Sequence, residues 1–148
     1  MLRFIFLIFL LLPVCQLKAK AASDSLQAGA AKYDITPRSF PVSMTGSFQD
    51  RKAQSAHDPL HARALVLKSG DTSIAFVVCD ICLISREIFD AAKQQASLKT
   101  GIPASNMLTS ATHTHTAPTS VPLAQCHPSP EYVQFLTEGI AQSIINAH

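Results

Sequence analysis

Two histidine-bearing stretches hold the residues best suited to chemistry in this sequence of 148 residues. The first is Thr112-His113-Thr114-His115, which directly follows the strand-like stretch 106–111. If extended chain runs on through the histidines, alternation at period two points both imidazoles to one face. Two neutral imidazoles side by side are half of a zinc site, because zinc accepts imidazole nitrogen and needs three or four ligands. The second stretch is His57-Asp58-Pro59-Leu60-His61. Either of its imidazoles can complete a metal site, and Asp58 can ligate or orient a ring from behind. Each stretch alone is a weak signal: an H-x-H in a threonine-rich loop also reads as two solvated histidines, and Asp58 also reads as a cap or turn residue. Their joint weight comes from placement, since an α/β layer sets such strand ends on one rim.

Cys79-Asp80-Ile81-Cys82 has the spacing of a redox pair, but it lies inside the apolar run 74–84. A catalytic C-x-x-C opens a helix, where the dipole lowers the thiol pKa. These two cysteines therefore read as small apolar residues of a buried strand. A thiol protein using them is the rival reading, and it predicts rapid modification by thiol reagents.

The elements that position these residues follow from pattern and punctuation. Arg3, the apolar run 4–14 and Ala19-Lys20-Ala21 make residues 1–21 a cleavable export signal, too short an apolar run to span a membrane. Residues 28–35 read as a strand stopped by Thr36-Pro37. Residues 39–58 lack a period and read as a long loop. Residues 62–68 and 72–80 read as a hairpin turning at Ser69-Gly70-Asp71. Ser85 can cap a helix over 86–99 that ends before Gly101, with Ile88, Ala91, Ala92, Gln95 and Leu98 on one face. Residues 106–111 form a third core strand, and 118–130 a proline-rich loop. Ser129 and Pro130 then open a second helix, in which Tyr132, Phe135, Leu136, Ile140, Ile144 and Ile145 recur at helical spacing.

The order strand, hairpin, helix, strand, helix implies an α/β fold: a mixed sheet with one parallel pair joined by a helical crossover and an antiparallel edge. The second helix runs to His148 without a stop signal, so residues 22–148 are expected to be an incomplete part of a larger catalytic domain. Without residues 1–21 the basic residues fall from 12 to 9 against 10 acidic ones. That balance, with no basic stripe, argues against nucleic acid as a partner. Cys79, Cys82 and Cys126 remain after cleavage, an odd number that leaves at least one free thiol or an intermolecular bond.

Four stretches, in order, resemble the N-terminal catalytic domain of neutral/alkaline non-lysosomal ceramidases. They are Ala28-Gly29-Ala30-Ala31-Lys32-Tyr33-Asp34-Ile35-Thr36-Pro37; Met44-Thr45-Gly46; His57-Asp58-Pro59-Leu60-His61-Ala62-Arg63-Ala64; and Ser110-Ala111-Thr112-His113-Thr114-His115-Thr116-Ala117-Pro118. The resemblance implies a secreted or periplasmic zinc amidohydrolase that cleaves ceramide to sphingosine and a fatty acid. It implies one Zn2+ ligand five residues ahead of Ala62-Arg63-Ala64, at His57, and a second from the T-H-T-H segment. His115 is favoured for the second over His113, which would otherwise orient substrate or the zinc-bound water. It gives His61 no metal role, sets Asp80 behind the ligands and makes Arg63 structural, while Asp58 stays a candidate to stand behind them on the residues alone. Bound zinc would acidify water and polarise the amide carbonyl. The partner implied is a ceramide-like lipid amide, with peripheral membrane contact, although other amides suit these residues as well. The family's remaining ligands, a glutamate and a tyrosine, lie further along than residue 148, so this chain alone is expected to be inactive. The competing reading is an exported, non-catalytic binding module with a vestigial metal site.

Overall fold

Small and β-branched residues at every second position of 62–79 leave one side of a hairpin flat enough for helices to lie on. The computed structural model describes residues 25–148, so the expected export signal at 1–21 lies outside the described residues. In chain order the elements are β1 (Gln27–Asp34), β2 (Val42–Met44), β3 (Arg51–Ala53), β4 (His61–Ser69), β5 (Thr72–Cys79), α1 (Arg86–Thr100), β6 (Met107–Ala111) and α2 (Pro130–Ala147).

The main sheet has the order β1-β4-β5-β6. β1 and β5 flank β4 in antiparallel fashion, while β6 lies parallel to β5 after the α1 crossover. The β4–β5 register sets Ala62 opposite Cys79, Ala64 opposite Val77 and Val66 opposite Ala75. All six are buried, forming one core with Met107 of β6, Ile88, Ala92 and Ala96 of α1, and Leu136, Ile140 and Ile144 of α2. Burying each of the larger aliphatic chains contributes about 1.5–3 kcal/mol. On the other face Leu65, Phe76 and Leu108 stand opposite one another across three strands and are exposed.

Helix α1 stops where expected: Gly101 adopts φ 74° and its N–H donates to the Ser97 carbonyl at 2.9 Å. Its buried stripe is narrower than the sequence suggests, because Leu98 is 85% exposed. Two residues past Ala96 is a rotation of about 200°, which carries Leu98 away from the face that Ala92 and Ala96 press inward. Helix α2 begins at Ser129, whose hydroxyl accepts from the Tyr132 N–H, with Pro130 at the first turn. The Tyr132 hydroxyl donates to the Ile35 carbonyl at 3.0 Å, tying α2 to the chain leaving β1.

The long loop expected over 39–58 is instead partly ordered as the antiparallel pair β2–β3. Three-residue strands are too short to show a period, and β2 is also tied to residues far along the chain. The Thr119 N–H donates to the Ser43 carbonyl at 2.8 Å, Met44 bridges Pro118, and the hydroxyls of Thr45 and Thr119 are hydrogen-bonded. Among the described residues no helix is long and apolar enough to cross a membrane.

Candidate metal centre

Because β5 and β6 run parallel with Cys79 opposite Ala111, whatever follows each strand emerges on the same rim. Past Cys79 the chain bends through Asp80 and Ile81 to Cys82; past Ala111 it reaches His113. The Thr112 N–H donates to the Cys79 carbonyl at 2.9 Å and the His113 N–H to the Ile81 carbonyl at 3.0 Å, so the two exits are stitched together.

His113 has φ 62°, in the left-handed region, and the strand ends at Ala111. The two imidazoles therefore meet through a turn and not through strand alternation, as the period-two expectation had it. Their rings stand edge to face with centroids 5.0 Å apart, and the two Nε2 atoms are 3.3 Å apart. His113 Nδ1 lies 3.0 Å from the Cys82 carbonyl oxygen. A carbonyl can only accept, so Nδ1 carries the proton and the Nε2 lone pair is left facing His115. Anchoring one ring nitrogen on the backbone is how proteins aim an imidazole at a metal. Two nitrogens each about 2.0–2.1 Å from a tetrahedral zinc stand about 3.3–3.4 Å apart. The pair fits such an ion.

His115 is held from the other side. Gly46 has φ 125°, and a Cβ there would lie 2.6 Å from the His115 Cβ and 2.9 Å from its carbonyl oxygen. Only glycine lets the loop after β2 press this closely. The Cys126 thiol donates to the Met44 carbonyl at 3.3 Å and helps hold that loop in place.

Cys82 joins the pair, a role the sequence reading missed by placing it in a buried strand. The strand ends at Cys79, and Cys82 sits beyond it with Sγ 3.7 Å from His113 Nδ1. One donor atom each from Cys82, His113 and His115 lies within 4.8 Å of the other two. The available signal was that Cys82 follows the end of the strand neighbouring the one that leads into T-H-T-H. Burial pushes the Cys82 thiol up, and burial with the nearby Asp80 charge pushes Cys79 up to about 12. Both are free, buried thiols, poorly suited to redox exchange. The trio borders a largely apolar hollow of about 550 Å³ shared with Phe48, Leu83 and Leu123.

His57 lies outside this trio. Its ring is 97% exposed, with Nδ1 3.2 Å from the Asp58 carboxylate. It lines a separate hollow of about 370 Å³ with Thr116 and Pro118, alongside the T-H-T-H turn. Asp80 turns toward β4: Arg63 Nη1 donates to both its oxygens at 2.7 Å, and the buried His61 donates its backbone N–H at 3.0 Å. Burial raises the Asp80 pKa, but the hydrogen bonds from Arg63 and His61 and their charges outweigh it and hold the carboxyl below its usual range.

An α/β domain that gathers imidazoles outside the carboxyl ends of parallel strands is of the class that builds its sites at that rim. The family is narrower. The family model described as neutral/alkaline non-lysosomal ceramidase, N-terminal, matches residues 26–148, and the chain belongs to that family. Among solved structures, the neutral ceramidase from Pseudomonas aeruginosa is similar with a TM-score of 0.75 and 24% identity, over 82% of this chain and 21% of that chain. A ceramidase complexed with C2 gives a TM-score of 0.72 and 25% identity over the same shares, 82% and 21%. The chain thus spans about a fifth of the length of these ceramidases. Comparison with curated proteins finds no match.

Proposed function

We propose that this chain is the N-terminal part of a zinc-dependent amide hydrolase of the neutral ceramidase type, acting on N-acylsphingosine or a similar lipid amide. The observation that carries the reading is the locked imidazole pair: Nε2 atoms 3.3 Å apart, with His113 fixed through Nδ1 on the Cys82 carbonyl. His115 and His113 would hold the ion, and the family resemblance adds His57 from the neighbouring hollow. Zinc bound there would supply an acidified water and a polarised carbonyl.

The chain's own residues would do the rest. The Cys82 carbonyl keeps the His113 ring from rotating away, Gly46 lets the loop after β2 set the His115 backbone, and Asp58 orients the His57 ring. The hollow with Phe48, Leu83 and Leu123 would receive apolar chain and exclude water from the reacting amide. The features of residues 1–21 support export, and a lipid substrate supports peripheral contact with a membrane. Because the family resemblance implies a glutamate and a tyrosine ligand outside residues 22–148, those residues alone should not hydrolyse ceramide.

Zinc content and ceramide cleavage in a ceramidase-length version of the protein test this. About one zinc per chain is expected, with both zinc and cleavage lost in His115→Ala. Full zinc and full cleavage in both His115→Ala and His57→Ala would sink the proposal.

A further inference from the structure

We infer that Cys126 is a positioning residue for the apolar hollow beside the imidazole pair: its thiol clamps together two loops that wall the hollow, and so sets how tightly an apolar chain is held there. The inference rests on the reading of that hollow as the receiver of apolar chain, and it names the residue that fixes its shape.

Cys126 lies in the connection between β6 and α2, and connections run over the surface, yet it is fully buried. It does not belong to the apolar core under the helices. What closes over it is backbone: the thiol donates to the Met44 carbonyl at 3.3 Å, with the Ser47 and Gln49 carbonyl oxygens 3.9 and 4.0 Å from the same sulfur. The chain from Met44 to Gln49 thus curls round one sulfur atom. A thiol suits that position because it is compact and carries a weak donor.

The same residue closes a tight turn. Leu123 and Cys126 exchange both backbone hydrogen bonds, at 3.1 and 2.9 Å, with Ala124 between them at φ 52°. Leu123 and Ala124 of this turn and Gly46, Ser47 and Phe48 of the curled loop all border the hollow. Thr119 and Ser120 fasten the other end of the stretch, Thr119 through its N–H to the Ser43 carbonyl at 2.8 Å and Ser120 through its hydroxyl to the carbonyl of Leu83, a further wall residue. With Cys126 fastening the near end of α2, the walls hold one spacing. Contacts that an apolar chain makes with such walls are the same before and during reaction, so they act on KM and not on kcat.

Trypsin reads the clamp on this chain, because Arg51 and Lys52 of β3 adjoin the clamped loop. Cys126→Ala should speed cleavage after Arg51 or Lys52 by about fivefold or more, the weight of one lost hydrogen bond on local opening. Cleavage after Lys68, at the end of β4, should keep its wild-type rate. Cys126→Ser retains a donor and should restore most of the protection. A medium-chain fluorescent fatty acid reads the hollow: its affinity should fall by about threefold or more in both Cys126→Ala and Leu123→Ala, since loosened walls must be ordered on binding. In a ceramidase-length protein Cys126→Ala should raise KM for ceramide by a similar factor and leave kcat and zinc content unchanged, because removing the clamp pushes nothing into His115. Should Cys126→Ala fold poorly, the wild-type chain replaces it: the fatty acid should slow cleavage after Lys52 and alkylation of Cys126 together, with cleavage after Lys68 unchanged. Equal protection of Lys52 in wild type and folded Cys126→Ala, equal fatty-acid affinity in the two, a Cys126→Ser variant as open as Cys126→Ala, or fatty-acid protection that extends equally to Lys68 would each overturn the inference while leaving the hydrolase proposal intact. Success of both readouts on this chain, with no ceramide cleaved by the ceramidase-length protein, would uphold the clamp and overturn the hydrolase proposal.

Discussion

Replacing Gly46 with alanine tests whether the loop after β2 sets the position of His115. The new Cβ would sit 2.6 Å from the His115 Cβ and 2.9 Å from its carbonyl oxygen. Relaxed carbon contacts are about 3.5–4.0 Å, so one segment must retreat by about 1 Å, and both are anchored to backbone. The residue also has φ 125°, a region essentially confined to glycine that costs about 1–3 kcal/mol for other residues. Strain and displacement together should destabilise the fold by about 2–4 kcal/mol, lowering the thermal midpoint by on the order of 10 °C. Moving His115 by about 1 Å would also stretch the Nε2 pair toward the limit that two bonds of about 2.0–2.1 Å can span. Metal affinity should then fall by more than about tenfold. Gly101→Ala is the control: φ is 74° there too, but a Cβ meets nothing within 4 Å. It should cost only about 1 kcal/mol and leave metal binding unchanged. Thermal unfolding and zinc titration of both variants decide the matter. Equal stability losses with undiminished zinc binding in Gly46→Ala would refute the positioning role.

Leu136→Ala removes a fully buried side chain between α2 and the sheet and should cost about 2–5 kcal/mol in denaturant unfolding; a loss below about 1 kcal/mol would mean the helix is not packed as described. Asp80→Asn addresses pH: the folded carboxyl lies below its usual range, so its contribution is present above the unfolded pKa and lost as pH falls through the folded one. The variant should be less stable than wild type at neutral pH, with the gap closing below about pH 4. A gap that stays constant down to strongly acid pH would show that the Arg63–Asp80 pair contributes nothing.

The sheet elements were legible because their signals are local. Alternation in 62–79, Gly101 after a helical period and Ser129-Pro130 before another each act within a few residues. β2 and β3 escaped because a three-residue strand has no period, and β2 is held as well by Thr119 and Pro118, far along the chain. Leu98 misled because a thin stripe of alanines can be rotated either way until a partner helix chooses. The site divided along the same line. T-H-T-H announced itself as a pair, whereas Cys82 looked like one more apolar residue in an apolar run.

Composition and motif alone thus determined that two imidazoles would stand together after a core strand of an α/β layer, within a ceramidase-like pattern. Only the tertiary structure decided what surrounds them: the Cys82 carbonyl that sets the His113 tautomer, the Cys82 thiol beside the rings, Gly46 against His115, and Asp80 turned to Arg63. The contacts at the imidazole pair join residues some 30 to 70 positions apart. They arise from the parallel β5–β6 register and from the docking of β2, which no local pattern encodes.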